Sequence, residues 1–289
     1  MRFAQAMIGA DARDHADIAV AAEAAGFDAV AVSDHVVYPE HLDSKYPYTS
    51  DGRPQFSPDE DWPDPWVHIA HMASRTTTLE FLTNVYVLPL RNPFVVAKAV
   101  GTAAFLSRDR VALGIGAGWM REEFELMGQP FSQRGARMDE AIELLRALWT
   151  GEMVEHHGVH FDVPRVRMRP APDRQVPIYV GGHSEAALRR AAKHDGWIGV
   201  NYTVEQLAEH CVTLNRYREE AGTTDHAFDV VASPLAIPRP DVIEQLVGLG
   251  VTTLLTSAWM MAGQKAPSGP EAVDLVGSFA EKFIAPLRS

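Results

Sequence analysis

The 289-residue chain carries a formal net charge of −12, with 46% hydrophobic and 22% charged residues. That balance supplies one large core and leaves no disordered block, and it argues against a nucleic-acid partner, whose phosphates need clustered Lys and Arg. The lone cysteine, Cys211, excludes an intramolecular disulfide, and no apolar run reaches membrane-spanning length.

The N-terminus MRFAQAMIGADARD lacks a basic region followed by an apolar core, so no signal peptide is read and a cytoplasmic protein is expected. A strand is predicted over Arg2–Met7 and a helix over Asp14–Ala25, stopped by Gly26. The next strand, Ala29–Ser33, is small or β-branched throughout and ends abruptly in Asp34-His35. A long segment, Val36–Asp64, follows. Tyr38, Trp62 and Trp66 flank it, as a pocket wall or the edge of a subunit interface, and Tyr38 and Trp62 are the candidate substrate contacts.

A helix is predicted over Pro65–Arg75, then a strand over Leu79–Val87 that overruns into Pro89 and Arg91-Asn92-Pro93. Pro93 suits the first turn of a helix over Pro93–Leu106. The strand Val111–Ile115 runs into Gly114-Ile-Gly116-Ala-Gly118. This resembles a dinucleotide fingerprint, but Trp119 stands where the third glycine belongs. The glycines are read as backbone kept bare for a flat ligand, with packing relief as the alternative. Beyond the acidic segment Gly116–Gln133 come a helix over Arg134–Trp149 and, within Gly151–Val176, a small hairpin around HHGVHFDV.

The strand Pro177–Val180 leads through Gly181-Gly182-His183-Ser184 into a helix over Ser184–Lys193. Two glycines allow close approach to the backbone, and the helix start offers free N–H groups, a combination suited to a phosphate. The alternative is a tight turn with Ser184 as N-cap. Strands Trp197–Val200, Phe228–Ala232 and Thr252–Thr256 alternate with helices Val204–Ala221, Pro240–Leu249 and Pro270–Phe283. Thr203 and Gln206 form a capping box, and Gly250 closes the Pro240–Leu249 helix.

Eight β-α pairs in one chain predict a single (β/α)8 barrel over residues 1–289, with the Val36–Asp64 and Gly116–Gln133 insertions on its C-terminal rim. A doubly wound sheet is the alternative. Ligands bind at that rim, and a buried strand delivers its last residues there. Two rival functions start from the same residues. Gly182-His183-Ser184-Glu185-Ala186 is one residue from the G-x-S-x-G elbow of a serine hydrolase using Ser184, with Asp225-His226 later in the chain. A non-catalytic ligand-binding barrel is the other. His68-x-x-His71 and His156-His157-x-x-His160 lack the further ligands of a zinc site, so no metal is expected. Cys211 reads as a buried inert thiol.

Taken together, SDH at the end of the second strand, TNVYVLPLRNP, GIGAGWMREEFELMG and VGGHSEAALRRAAKHDGWI resemble the luciferase-like flavin/deazaflavin oxidoreductases, most of all the branch labelled coenzyme F420-dependent. The resemblance runs in order from residue 2 to about residue 200. It implies a barrel with a flat redox cofactor in its mouth: coenzyme F420, or alternatively FMN in a monooxygenase of the same fold. Carried over, Asp34 lies beside the ring and His35 is the acid/base. A cis Asn84–Val85 peptide buttresses the ring, Gly114, Gly116 and Gly118 lie along it, and Gly181, Gly182, His183 and Ser184 hold the phosphate.

Imidazole titrates nearest neutral pH, which suits the proton that accompanies a hydride. Proton transfer is therefore assigned to His35 and hydrogen bonding of the ring to Asp34. The chain departs from the family pattern in two places. Asn84 stands where Gly, Ser or Cys is more usual, and no carboxylate is identified to pair with the histidine as in sugar-phosphate dehydrogenase members, so that substrate class is not expected. A small, fairly apolar organic substrate and a homodimer are expected.

Overall fold

Strands with no polar face need cover on both sides, and a parallel sheet closed on itself inside a ring of helices provides it. The computed structural model describes residues 1–288. Its barrel strands are β1 (Arg2–Ala6), β2 (Ala29–Val32), β3 (Glu80–Thr83), β4 (Val111–Gly116), β5 (Ile178–Gly181), β6 (Gly196–Tyr202), β7 (Asp229–Pro234) and β8 (Thr253–Thr256). Each pairs in parallel with the next, and β8 pairs back onto β1, so the (β/α)8 barrel is closed and the open-sheet alternative falls.

The predicted strand Leu79–Val87 is two pieces. After β3 the chain passes the Asn84–Val85 peptide, which is cis as the resemblance implied, and pairs again at Tyr86–Val87 with β4. Helices follow as α1 (His15–Ala25), α2 (Pro65–Ala73), α3 (Pro93–Ser107), α4 (Arg121–Leu126), α5 (Arg134–Leu148), α6 (Glu185–Ala191), α7 (Val204–Ala221), α8 (Pro240–Gly248), α9 (Ala258–Met261) and α10 (Gly269–Phe279). Both short helices, α4 and α9, were unforeseen, being too brief to show a period. Thr203 and Gln206 make both halves of the capping box. The hairpin pairs Met153–His157 with Asp162–Arg167, and Glu140 of α5 pins its turn by accepting the N–H groups of Val159, His160 and Phe161.

Two apolar layers result. Inside the barrel pack Ala4, Ala29, Ala31, Leu82, Ala112, Tyr179, Ile198, Val231 and Leu255. The larger layer fills the space between strands and helices and holds Cys211, whose thiol burial pushes up to about 11. Among the described residues no helix is long and apolar enough to cross a membrane.

One buried polar pair ties α1 to α2. His15 Nδ1 lies 2.9 Å from His68 Nε2, and His15 Nε2 lies 3.0 Å from the Ala10 carbonyl. With His15 donating to Ala10, His15 Nδ1 is an acceptor and that ring is neutral, and His68 donates to it. Burial lowers both pKa values, that of His68 to about 4. An unfolded histidine titrates near 6.5, so the unfolded chain takes up protons first. The pair's contribution is therefore complete above pH ~6.5 and is lost as pH falls toward 4. Thermal melts across that window should lose less stability in His68→Gln than in the wild type; equal slopes would remove the pair as the cause.

Candidate active site

At the C-terminal end of the barrel, Ala6, Val85 and Val200 cap the inner cluster and remain partly exposed, forming a floor. Val85 sits in a notch. A Cβ on Gly116 would come 2.7 Å from its Cγ2, and one on Gly181 would come 2.7 Å from its Cγ1. At Gly114 a Cβ would meet the Thr83 carbonyl oxygen at 1.9 Å, and at Gly118 (φ 82°) it would meet Phe124 and Val87 at 2.7 Å. For Gly114, Gly116 and Gly118 these contacts favour packing relief over backbone kept bare for a flat ligand, and Gly181, assigned to the phosphate turn, meets Val85 in the same way. These glycines make room for the protein's own atoms.

The Asp34-His35 ending divides by strand parity. Ala29 and Ala31 of β2 belong to the inner cluster, and Val30 and Val32 to the outer one. Asp34 continues the outer set. Its carboxylate accepts from the Arg91 guanidinium at 2.5 and 2.7 Å and from the Val87 N–H at 2.8 Å, and its side chain has no exposed surface. Arg91 in turn lies over the Tyr86 ring at 4.3 Å. The assignment of Asp34 to a cofactor ring is corrected accordingly: it fastens the end of β2 to the segment after β3.

His35 continues the inner set toward the mouth. Its Nδ1 is 3.0 Å from Oε2 of Glu123, a residue of α4 that is 1% exposed. Glu123 Oε1 accepts the Val36 N–H at 2.7 Å. A carboxylate beside Nδ1 fixes the proton there, which leaves Nε2 to exchange a proton with a bound molecule. Glu123 is thus the histidine-pairing carboxylate that sequence reading did not identify. The signal was present in the acidic turn REEFEL, but only folding brings it to a residue 88 positions away.

Aromatic rings from the Val36–Asp64 segment cover the histidine. Phe56 and Trp62 lie 4.8 and 4.9 Å from its ring, and Trp119 lies 6.0 Å away. A cavity of about 220 Å³ opens beside it, lined by His35, Tyr38, Phe56 and Trp62 with Glu60 and Asp61. The two aromatic residues predicted to meet substrate therefore share one cavity with His35. Trp66 does not, being buried against Tyr86. The Trp62 indole N–H is buried without a partner.

On the far side, Gly182 (φ 108°) holds its carbonyl to the Trp197 indole N–H at 2.8 Å, and His183 Nδ1 is 2.9 Å from the Tyr202 hydroxyl. Ser184 caps α6 by accepting the Ala187 N–H at 3.2 Å. Asp225-His226 lies between α7 and β7, at the opposite end of the barrel from Ser184, so the hydrolase reading has no triad.

Residues 2–245 match the model of the luciferase-like monooxygenase family. An uncharacterized protein of Mycobacterium tuberculosis is 41% identical over 293 residues, covering 99% of each chain. The F420-dependent glucose-6-phosphate dehydrogenase of Amycolatopsis mediterranei is 31% identical over 191 residues, which cover 64% of this chain and 53% of that protein. Among solved structures, the monooxygenase RslO1 from Streptomyces bottropensis superposes with a TM-score of 0.76 at 18% identity, covering both chains fully. The coenzyme F420 dependent tetrahydromethanopterin reductase from Methanopyrus kandleri gives 0.73 at 15% identity, over 96% of this chain and 97% of that one. Both solved structures share the fold.

Proposed function

The chain belongs to the luciferase-like monooxygenase family, and on that premise we propose that it is an oxidoreductase moving a hydride between the deazaflavin coenzyme F420 and a small organic molecule. The observation that carries this reading is the His35–Glu123 pair at the barrel mouth, beside a partly exposed apolar floor. The F420-dependent relatives support the choice of cofactor over FMN.

The residues present fit such a group. Val85 offers an apolar surface for a ring, the Gly182–Ser184 turn offers backbone to a phosphate, and the unpartnered Trp62 N–H offers a donor to a polar ring edge or a substrate oxygen. When bound, the deazaflavin supplies the carbon that accepts or donates hydride. His35 Nε2 takes the proton from a substrate hydroxyl or amine, or returns it in the reverse direction. Glu123 holds the imidazole in the required tautomer and stabilises its charged form. The surrounding Phe56, Trp62 and Trp119 keep water away from the exchange. Tyr38 and Trp62 bound the substrate side together with Glu60 and Asp61, which suits a small organic molecule that presents both apolar and polar surface.

The test is a tryptophan-fluorescence titration of the apo-protein with F420 and, separately, FMN. F420 is expected to bind with the lower Kd. Tight FMN binding with no response to F420 would reverse the assignment in favour of a flavin monooxygenase. A homodimer is part of the same proposal, and α2 and α3 expose Val67, Val95, Phe105 and Leu106, apolar side chains that a second copy would cover.

A further inference from the structure

We propose that the cavity beside His35 receives a small organic cation, and that the substrate is an alcohol carrying an ammonium group, or the carbonyl compound it becomes. That the bound cation is the substrate rests on the reading above; the site itself rests on the cavity alone. Three rings and two acids meet there. Tyr38, Phe56 and Trp62 line the space with Glu60 and Asp61, and His35 closes one side. Phe56 stands at 69° to Trp62 and at 88° to Tyr38, with centroids 5.0 and 5.9 Å away. Rings set in this way leave surface uncovered that a stack would consume. Their faces carry partial negative charge, and a group of such faces is how proteins hold ammonium ligands.

The two carboxylates have no cation of their own. No Lys or Arg lines the cavity. Glu60 Oε1 accepts the Ser57 N–H at 3.1 Å, and the Asp61 side chain has no hydrogen bond or ion pair among the described residues. Arg13, whose guanidinium feels the Asp61 charge, is already bonded to both oxygens of Asp11. A neutral apolar guest would strip water from these carboxylates and return nothing. An ammonium group offsets that loss with charge-assisted contacts. Residues 36–64 also carry seven Asp and Glu against one Lys and one Arg. Cations therefore gather at this part of the rim before they bind.

Size narrows the guest further. The cavity of about 220 Å³ lies below the roughly 300–1,000 Å³ of sites that enclose drug-sized ligands, so it takes one head group. A carbon a few bonds from that head group then lies near His35, which forms one wall. On oxidation the carbinol C–H bond passes its hydrogen and electron pair to the deazaflavin, the O–H bond passes its proton to His35 Nε2, and the oxygen closes a carbonyl. The ammonium group orients the molecule and takes no part in the bond changes.

Choline and its carbon isostere, in which a tert-butyl group replaces trimethylammonium, share a shape and differ by one charge. Calorimetric titration of the apo-protein with each is the test. Choline should bind with a Kd about tenfold lower than the neutral alcohol. In Glu60→Gln/Asp61→Asn the choline Kd should rise to that of the neutral alcohol. The neutral alcohol's own Kd should change by less than about twofold, and circular dichroism should be unchanged. Trp62→Leu should weaken choline about fivefold. Equal affinities in the wild type, absence of choline binding, or a choline Kd unmoved in the folded double variant overturns the cation site. Choline preference without F420 binding upholds the site and removes the cofactor assignment. F420 binding without choline preference keeps the cofactor and removes the cationic substrate.

Discussion

His35→Asn lowers turnover by about 10²–10⁴, the usual worth of a positioned acid–base group, while cofactor affinity stays within a few-fold. Asparagine keeps a donor that can reach Glu123 and holds the loop, but it has no second nitrogen to exchange a proton. Glu123→Gln should give a smaller loss, since the imidazole survives and only the charge behind it goes. Single-turnover rates on any compound the wild-type enzyme converts provide the measurement. Wild-type turnover in His35→Asn removes the residue from the chemistry. If instead cofactor affinity collapses along with turnover, its role is binding.

The second large effect falls on stability. Asp34→Ala strips the partner from the largely buried guanidinium of Arg91, and breaking one side of a buried pair costs about 3–5 kcal/mol. At roughly 2–4 °C per kcal/mol for a chain of this class, Tm should fall by about 6–20 °C. Because most of that loss is an uncompensated charge, Asp34→Ala/Arg91→Met should recover much of it. A single variant that melts like the wild type would show that water reaches Arg91 readily and that the pair fastens nothing.

What the sequence disclosed follows from the range of the interactions involved. The eight strands and their helices were legible because apolar runs and caps such as Thr203 act within a few residues. The destinations of Asp34 and His35 were half legible. Alternation along β2 places Asp34 with Val30 and Val32, on the outer side, and His35 with the inner alanines. Assigning both residues to the cofactor site set that alternation aside. The glycines misled because bare backbone looks the same whether a ligand or a neighbouring side chain uses the space. Glu123 was invisible as a partner for His35, since the contact joins two rim loops whose approach only barrel closure dictates. The Tyr48–His183 and Gln55–Asn201 contacts were hidden for the same reason.

The Val85 notch has a consequence for how the chain can vary. Its two methyls occupy the places where side chains at 116 and 181 would begin, each 2.7 Å from the missing Cβ. The three positions therefore share one volume, although they come from three different strand ends. Alanine at either glycine is excluded while valine stands at 85, and becomes admissible once 85 is itself reduced. Relatives that drift at one of these sites should drift at the others in the opposite sense of size. In a double-mutant cycle, Val85→Ala and Gly116→Ala should each be harmful alone and less harmful together than the sum of their separate effects.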